Sequence, residues 1–124
     1  MSKARKDVER ERRITDEIIV DAYGSEEQAM GWYYYLEDKL GFPFVATCVA
    51  ERAISPLREG DEVEILGMAS EYECQHEMFV EMCWVSGRKL AIPLSQVKPS
   101  IEADAHTQEA VADWHYWVDQ GYLL

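Results

Sequence analysis

The chain has 124 residues, 24 of them acidic and 12 basic, for a formal charge of −12. Six bases (Lys3, Arg5, Lys6, Arg10, Arg12, Arg13) share the first thirteen positions with Asp7, Glu9 and Glu11, so the other 111 residues hold 21 acids and six bases, net −15. Such a body repels phosphate backbones, which argues against general nucleic-acid binding, and it attracts cations or basic partners. With 48% hydrophobic residues the chain has enough apolar matter for one packed domain. No apolar run is long enough for a membrane span, and the charged N-terminus does not read as a secretory signal. Cys48, Cys74 and Cys83, an odd number without paired spacing, suit reduced thiols. A cytoplasmic protein is expected.

In chain order, residues 1–13 offer only Val8 as an apolar anchor and read as a basic, flexible arm. Alternation through Ile18, Val20 and Ala22 predicts a short strand or extended entry that Gly24 ends. Residues 25–40 form the clearest helix: Ser25 and Gln28 match a capping box, and Ala29, Trp32, Tyr33, Leu36 and Leu40 make an apolar stripe. Gly41 is expected in the left-handed cap position, with Phe42 as its contact and Pro43 as the stop. Glu37 and Asp38 lie in the last turn, where the helix dipole disfavours anions.

After Pro43 the period becomes two, through Val45–Val49, then Glu62–Leu66 with Val63 and Ile65 inward, then Met78, Val80, Met82 and Trp84. Gly67 to Glu77 reads as an acidic loop. A tight turn at Ser86-Gly87 leads into Leu90, Ile92 and Leu94, with Pro93 marking an edge or a strand end. A last helix over 107–120, capped by Thr107 and closed by Gly121, carries Val111, Trp114, Trp117 and Val118 as its buried stripe. The expected fold is α+β: an N-terminal helix, a small SH3-like antiparallel β-barrel over 44–97, and a C-terminal helix. That likeness says little about function.

No recognisable catalytic motif includes His76, His106 or His115, and the glycines are isolated, each near a turn or element end, so no phosphate loop is present. An enzyme is not expected. Cys74 and His76 are two possible zinc ligands where a structural site needs four. A hard cation suits the chain better, because calcium takes six to eight oxygen ligands in irregular geometry. No EF-hand run occurs, so a site must draw on separated elements. The candidates are Glu37 and Asp38 among the free carbonyls of a helix end, the loop acids Glu71, Glu73 and Glu77, and the strand from Asp61 to Glu64. An ordinary solvated acidic surface accounts for the same charge.

The run Gly31-Trp32-Tyr33-Tyr34-Tyr35-Leu36-Glu37-Asp38-Lys39-Leu40, then Phe42-Pro43-Phe44, Ala50-Glu51-Arg52-Ala53-Ile54-Ser55-Pro56-Leu57 and Gly60-Asp61-Glu62-Val63-Glu64-Ile65-Leu66-Gly67-Met68, resembles the cyanobacterial calcium-binding protein family. The likeness continues through His76-Glu77-Met78-Phe79-Val80 and Ala91-Ile92-Pro93-Leu94-Ser95-Gln96-Val97, covering about residues 14–98. It implies a single calcium-binding domain over 14–124, without an EF-hand, that buffers or sequesters cytosolic Ca2+ during heterocyst differentiation. It further implies two calcium sites of unequal strength. Asp38 is the foremost implied ligand; Glu37 beside it points about 100° away, and Glu71, Glu73 and Glu77 carry over as an acidic loop. A monomer is expected, with a basic protein or a regulatory protease as possible partners. The alternative is an acidic SH3-like module that binds a basic protein partner.

Overall fold

The computed structural model describes residues 7–122 and 124. Its elements are α1 (Val8–Arg13), a π-helical turn (Ile14–Ile18), α2 (Ser25–Lys39), β1 (Phe44–Cys48), β2 (Glu62–Met68), β3 (Phe79–Cys83), β4 (Lys89–Pro93), β5 (Val97–Pro99) and α3 (Ala105–Asp119). The strands form one antiparallel sheet in the order β4-β3-β2-β1-β5. Helices at both ends and a small antiparallel sheet between them are the expected architecture. The sheet is open rather than closed: among the described residues no ladder joins β4 to β5, and a 3-10 turn, Leu94–Gln96, carries the chain from one edge to the other. Pro93 and Pro99 end these two edge strands, where a missing amide costs no ladder bond. A register shift between Ile65 and Gly67 marks a bulge in β2.

The arm departs from expectation. Residues 1–6 lie outside the described residues, but from Asp7 onward the segment is ordered helix, not a flexible arm. The Asp7 carboxylate caps α1 by accepting from the Arg10 amide at 3.0 Å. Arg10 and Arg13 then reach Asp113 on α3, which is fully buried. The arm lacks an apolar face, and charge docks it instead. The predicted strand around Ile18 is also absent. Ile14 and Ile18, four residues apart, share one helical face and are 1% and 4% exposed, while Val20 and Tyr23 point outward. Asp21, at φ 58°, then turns the chain into α2.

The predicted stripe of α2 is buried throughout. Its cap sits one residue earlier than expected: Gly24 is the extended N-cap, which makes Glu27 the third helical residue, and Glu27 reaches back to the Tyr23 amide at 3.3 Å. Gly31 lies in mid-helix, away from any turn, because a Cβ there would sit 2.4 Å from the Ile18 carbonyl oxygen. Trp32 has no exposed surface and meets Trp114 edge-on at 5.0 Å and Trp117 at 5.6 Å, so aromatic packing joins α2 to α3.

Inward residues of the sheet follow the two-residue period: Phe44, Ala46 and Cys48 from β1, Ile65 from β2, Val80 and Met82 from β3, and Ile92 from β4. β2 extends through Gly67 and Met68, two residues into the predicted loop. On α3, Asp104 rather than Thr107 is the N-cap and Val118 is exposed, whereas Val111, Trp114 and Trp117 are buried as expected. Gly121, at φ 79°, closes α3 with the Tyr122 amide on the Trp117 carbonyl, and the two rings pack at 4.7 Å.

Candidate metal centre

The C-terminal end of α2 is shaped by where its amides go. Leu40 leaves the helix in an extended conformation after its own amide bonds the Leu36 carbonyl. In a continuing helix the Glu37 carbonyl would take the Gly41 amide, but that amide donates to Thr107 Oγ1 at 2.8 Å. The Asp38 carbonyl would take the Phe42 amide, which turns to the Leu40 carbonyl at 3.2 Å. The Lys39 carbonyl would need residue 43, a proline with no amide proton. Three successive carbonyls at the negative end of the helix thus lack their helical donors. Gly41 does not adopt the left-handed cap that its position predicts: Thr107, on another helix, serves its amide instead.

Both carboxylates of this turn are exposed. Asp38 pairs with its neighbour, Lys39 Nζ, at 3.8 Å with three-quarters of its side chain in solvent, a contact worth little. Glu37 faces Tyr33 and Tyr34 of α2 together with Glu71 of the 69–78 loop. Tyr34 donates to Glu71 Oε1 at 3.4 Å, and Tyr33 donates to the Ala69 carbonyl at 3.1 Å, which fastens the start of the loop to the helix. The negative charge is felt by both rings. The Tyr34 phenol is held above its ordinary range chiefly by Glu71, with Glu37 adding to the effect; the Tyr33 phenol is raised first by burial, then by Glu37.

The other loop acids are placed differently. Glu73 folds back on Ser70, accepting from its amide at 3.2 Å and its hydroxyl at 3.4 Å. Glu77 lies at the far end of the loop, ion-paired with Arg52 and bonded by Ser95 Oγ at 3.2 Å. Cys74, between them, is buried with its sulfur against the backbone of Phe79, and burial pushes its thiol up to about 11. His76 is exposed, and the His115 ring lies on the Val97 carbonyl at 2.8 Å. The strand acids Glu62 and Glu64 face solvent, and Asp61 accepts from the Arg58 amide.

The fold sets Glu71 against Tyr34 with Glu37 near Tyr33 and Tyr34, leaves Asp38 beside Lys39, and separates Glu77 from them. Among the described residues no three acid, histidine or cysteine side chains converge as a ready metal cluster. The donors at the helix end are all oxygens, carboxylate and carbonyl, on an exposed rim. That set fits a hard cation which completes its shell with water, and does not fit a thiophilic metal. Sequence reasoning reached the two helix-end acids but not Thr107, whose signal is only the unserved Gly41 amide before a proline.

Comparison with known proteins places this geometry in context. A family model described as calcium binding, of the CcbP type, matches residues 12–118. The crystal structure of Anabaena CcbP is 44% identical, with 98% of each chain covered and a TM-score of 0.84. A calcium-binding protein in its calcium-binding form is likewise 44% identical over 98% of each chain, with a TM-score of 0.83. No curated protein sequence matches the chain.

Proposed function

The chain belongs to the CcbP-type family of calcium-binding proteins, and from that premise we propose that it binds Ca2+ reversibly at the C-terminal end of α2 and so buffers free calcium in the cytoplasm. The observation that carries the placement is the coincidence, on one helix turn, of the exposed Glu37 and Asp38 carboxylates with three carbonyls that lack their helical donors. A divalent cation there neutralises both the side chains and the helix dipole. Asp38 is the first ligand, with Glu37 and Glu71 beside it and water filling the remaining positions; Glu73 and Glu77 contribute to the acidic field. A second, weaker site and a role in calcium signalling during cell differentiation belong to the same reading, as does a non-enzymatic protein.

Because the site is a solvated rim, affinity of order micromolar or weaker is expected, and it weakens with salt. Titration calorimetry of chelator-treated protein tests this. Saturable calcium heats that magnesium does not reproduce, reduced in Asp38→Asn, support the reading; no saturation at millimolar calcium removes it.

A second reading rests on another surface. Asp61, Glu62 and Glu64 rim a cavity of about 460 Å³ lined also by Trp84 and Val85, which are 38% and 65% exposed. An acidic rim around exposed apolar side chains suits a basic protein segment. Retention of a basic partner equally with calcium and with chelator distinguishes it from calcium-dependent docking.

A further inference from the structure

The calcium site proposed above includes the Glu37 carbonyl, which a left-handed helix cap would pair with the Gly41 amide, and the residue that takes that amide instead is on a different helix. Thr107 is fully buried at the start of α3, and its Oγ1 accepts the Gly41 amide at 2.8 Å. The same residue's amide donates to Asp104 Oδ1 at 2.7 Å. The other Asp104 oxygen lies against Gly41, 2.5 Å from where a Cβ would stand, so no larger residue fits without moving it. Gly41, Thr107 and Asp104 form a relay that fixes the exit of α2.

We propose that Thr107 is a positioning residue for the cation site: by drawing the Gly41 amide away from α2, it leaves the Glu37 main-chain carbonyl as a ligand beside the Glu37 and Asp38 carboxylates. This rests on the calcium reading above. With valine at 107, similar in shape but without the hydroxyl, the Gly41 amide loses its acceptor. In the left-handed cap that many helices adopt, this amide bonds the Glu37 carbonyl. The cation site then loses an oxygen, and the two acids lose their fixed frame.

Three chelator-treated full-length proteins, wild type, Thr107→Val and Thr107→Ser, are titrated with calcium by calorimetry, with thermal melts run without calcium. Thr107→Val is expected to bind about tenfold more weakly, as for loss of an outer-shell partner at other metal sites, and Thr107→Ser to recover most of the affinity. In isotope-labelled wild type, the Glu37 carbonyl carbon resonance is expected to shift on calcium addition while the mid-helix Met30 carbonyl stays. That measurement holds even if Thr107→Val does not fold. Wild-type affinity in folded Thr107→Val, no recovery in Thr107→Ser, or a Glu37 carbonyl unmoved at saturation overturns the role of Thr107 while the calcium reading stands. Absence of saturable binding by wild type overturns both.

Discussion

Arg13 grips the buried carboxylate of Asp113 with both terminal nitrogens, at 2.8 and 2.6 Å, across 100 residues of sequence. Arg10 adds a third contact at 2.6 Å and the Tyr35 hydroxyl a fourth at 2.7 Å, so α1, α2 and α3 meet on one acidic side chain. The neighbouring anion raises the Arg13 guanidinium further above its ordinary range, and burial followed by the Asp113 contact raises the Tyr35 phenol. Asp113 has no exposed surface, whereas each arginine side chain keeps about a quarter of its own in solvent.

Removing the carboxylate leaves two partly buried cations without their partner. Asp113→Ala is expected to lower unfolding free energy by about 3 kcal/mol, near the low end for breaking a buried pair because the arginines retain some water. Arg13→Ala, which loses two contacts to the carboxylate, is expected to cost more than Arg10→Ala, which loses one. Urea unfolding of the three variants checks the order. Equal effects for the two arginines would contradict the two-point geometry.

Gly31→Ala tests the packing of α2 on the turn before it. On helix propensity alone the change favours folding by about 1 kcal/mol. The new methyl, however, would meet the carbonyl oxygen of the buried Ile18 at 2.4 Å. Overpacking of this kind costs about 1–3 kcal/mol, so a net loss and a lower melting temperature are expected. A stabilised variant would show that the turn moves freely.

Where burial set the pattern, the sequence was easy to read. The stripe Ala29, Trp32, Tyr33, Leu36 and Leu40 needed only a 3.6-residue period, and Val80, Met82 and Ile92 only a period of two. Contacts between distant segments were not legible. Nothing local in Arg10 or Arg13 points to Asp113, so a charged segment without an apolar face read as loose. Ile14 and Ile18 form too short a helical pattern to outweigh the alternation that follows them. At the helix end, Glu37 and Asp38 showed themselves as anions in an unfavourable dipole, a local signal. The direction of the Gly41 amide depends on Thr107, 66 residues away.

Stability is expected to fall at both pH extremes for different reasons. Burial pushes the Cys74 thiol up to about 11 from 9.0. A pKa higher in the folded state favours the protonated thiol there, so its contribution is complete below 9.0 and is lost as pH rises through about 11. Cys74→Ala should flatten that part of the alkaline decline. On the acid side, backbone amides at the starts of α1 and α3 hold the Asp7 and Asp104 carboxyls below 3.8. Their contribution is present above 3.8 and is lost as pH falls through the lowered values, so Asp104→Ala should remove part of the acid dependence. Urea midpoints across the pH range measure both; a midpoint unchanged between pH 9 and 11 would contradict the buried thiol.

Tyr34 gives the proposed calcium site an optical reporter. Its ring is exposed, and its phenol is held above 10.0 first by the Glu71 charge, then by slight burial, the Glu71 hydrogen bond and Glu37. A cation on Glu37, Asp38 and Glu71 cancels the field that opposes tyrosinate, so saturation with calcium should move the phenol back toward 10.0. The expected result is a tyrosinate absorbance curve displaced to lower pH by calcium, with the displacement lost in Tyr34→Phe and reduced in Glu71→Gln. Magnesium, which gives up its water less readily, should displace it less. If calcium saturates the protein while the Tyr34 curve stays in place, the ion lies away from Glu71 and Glu37, and the helix-end placement fails.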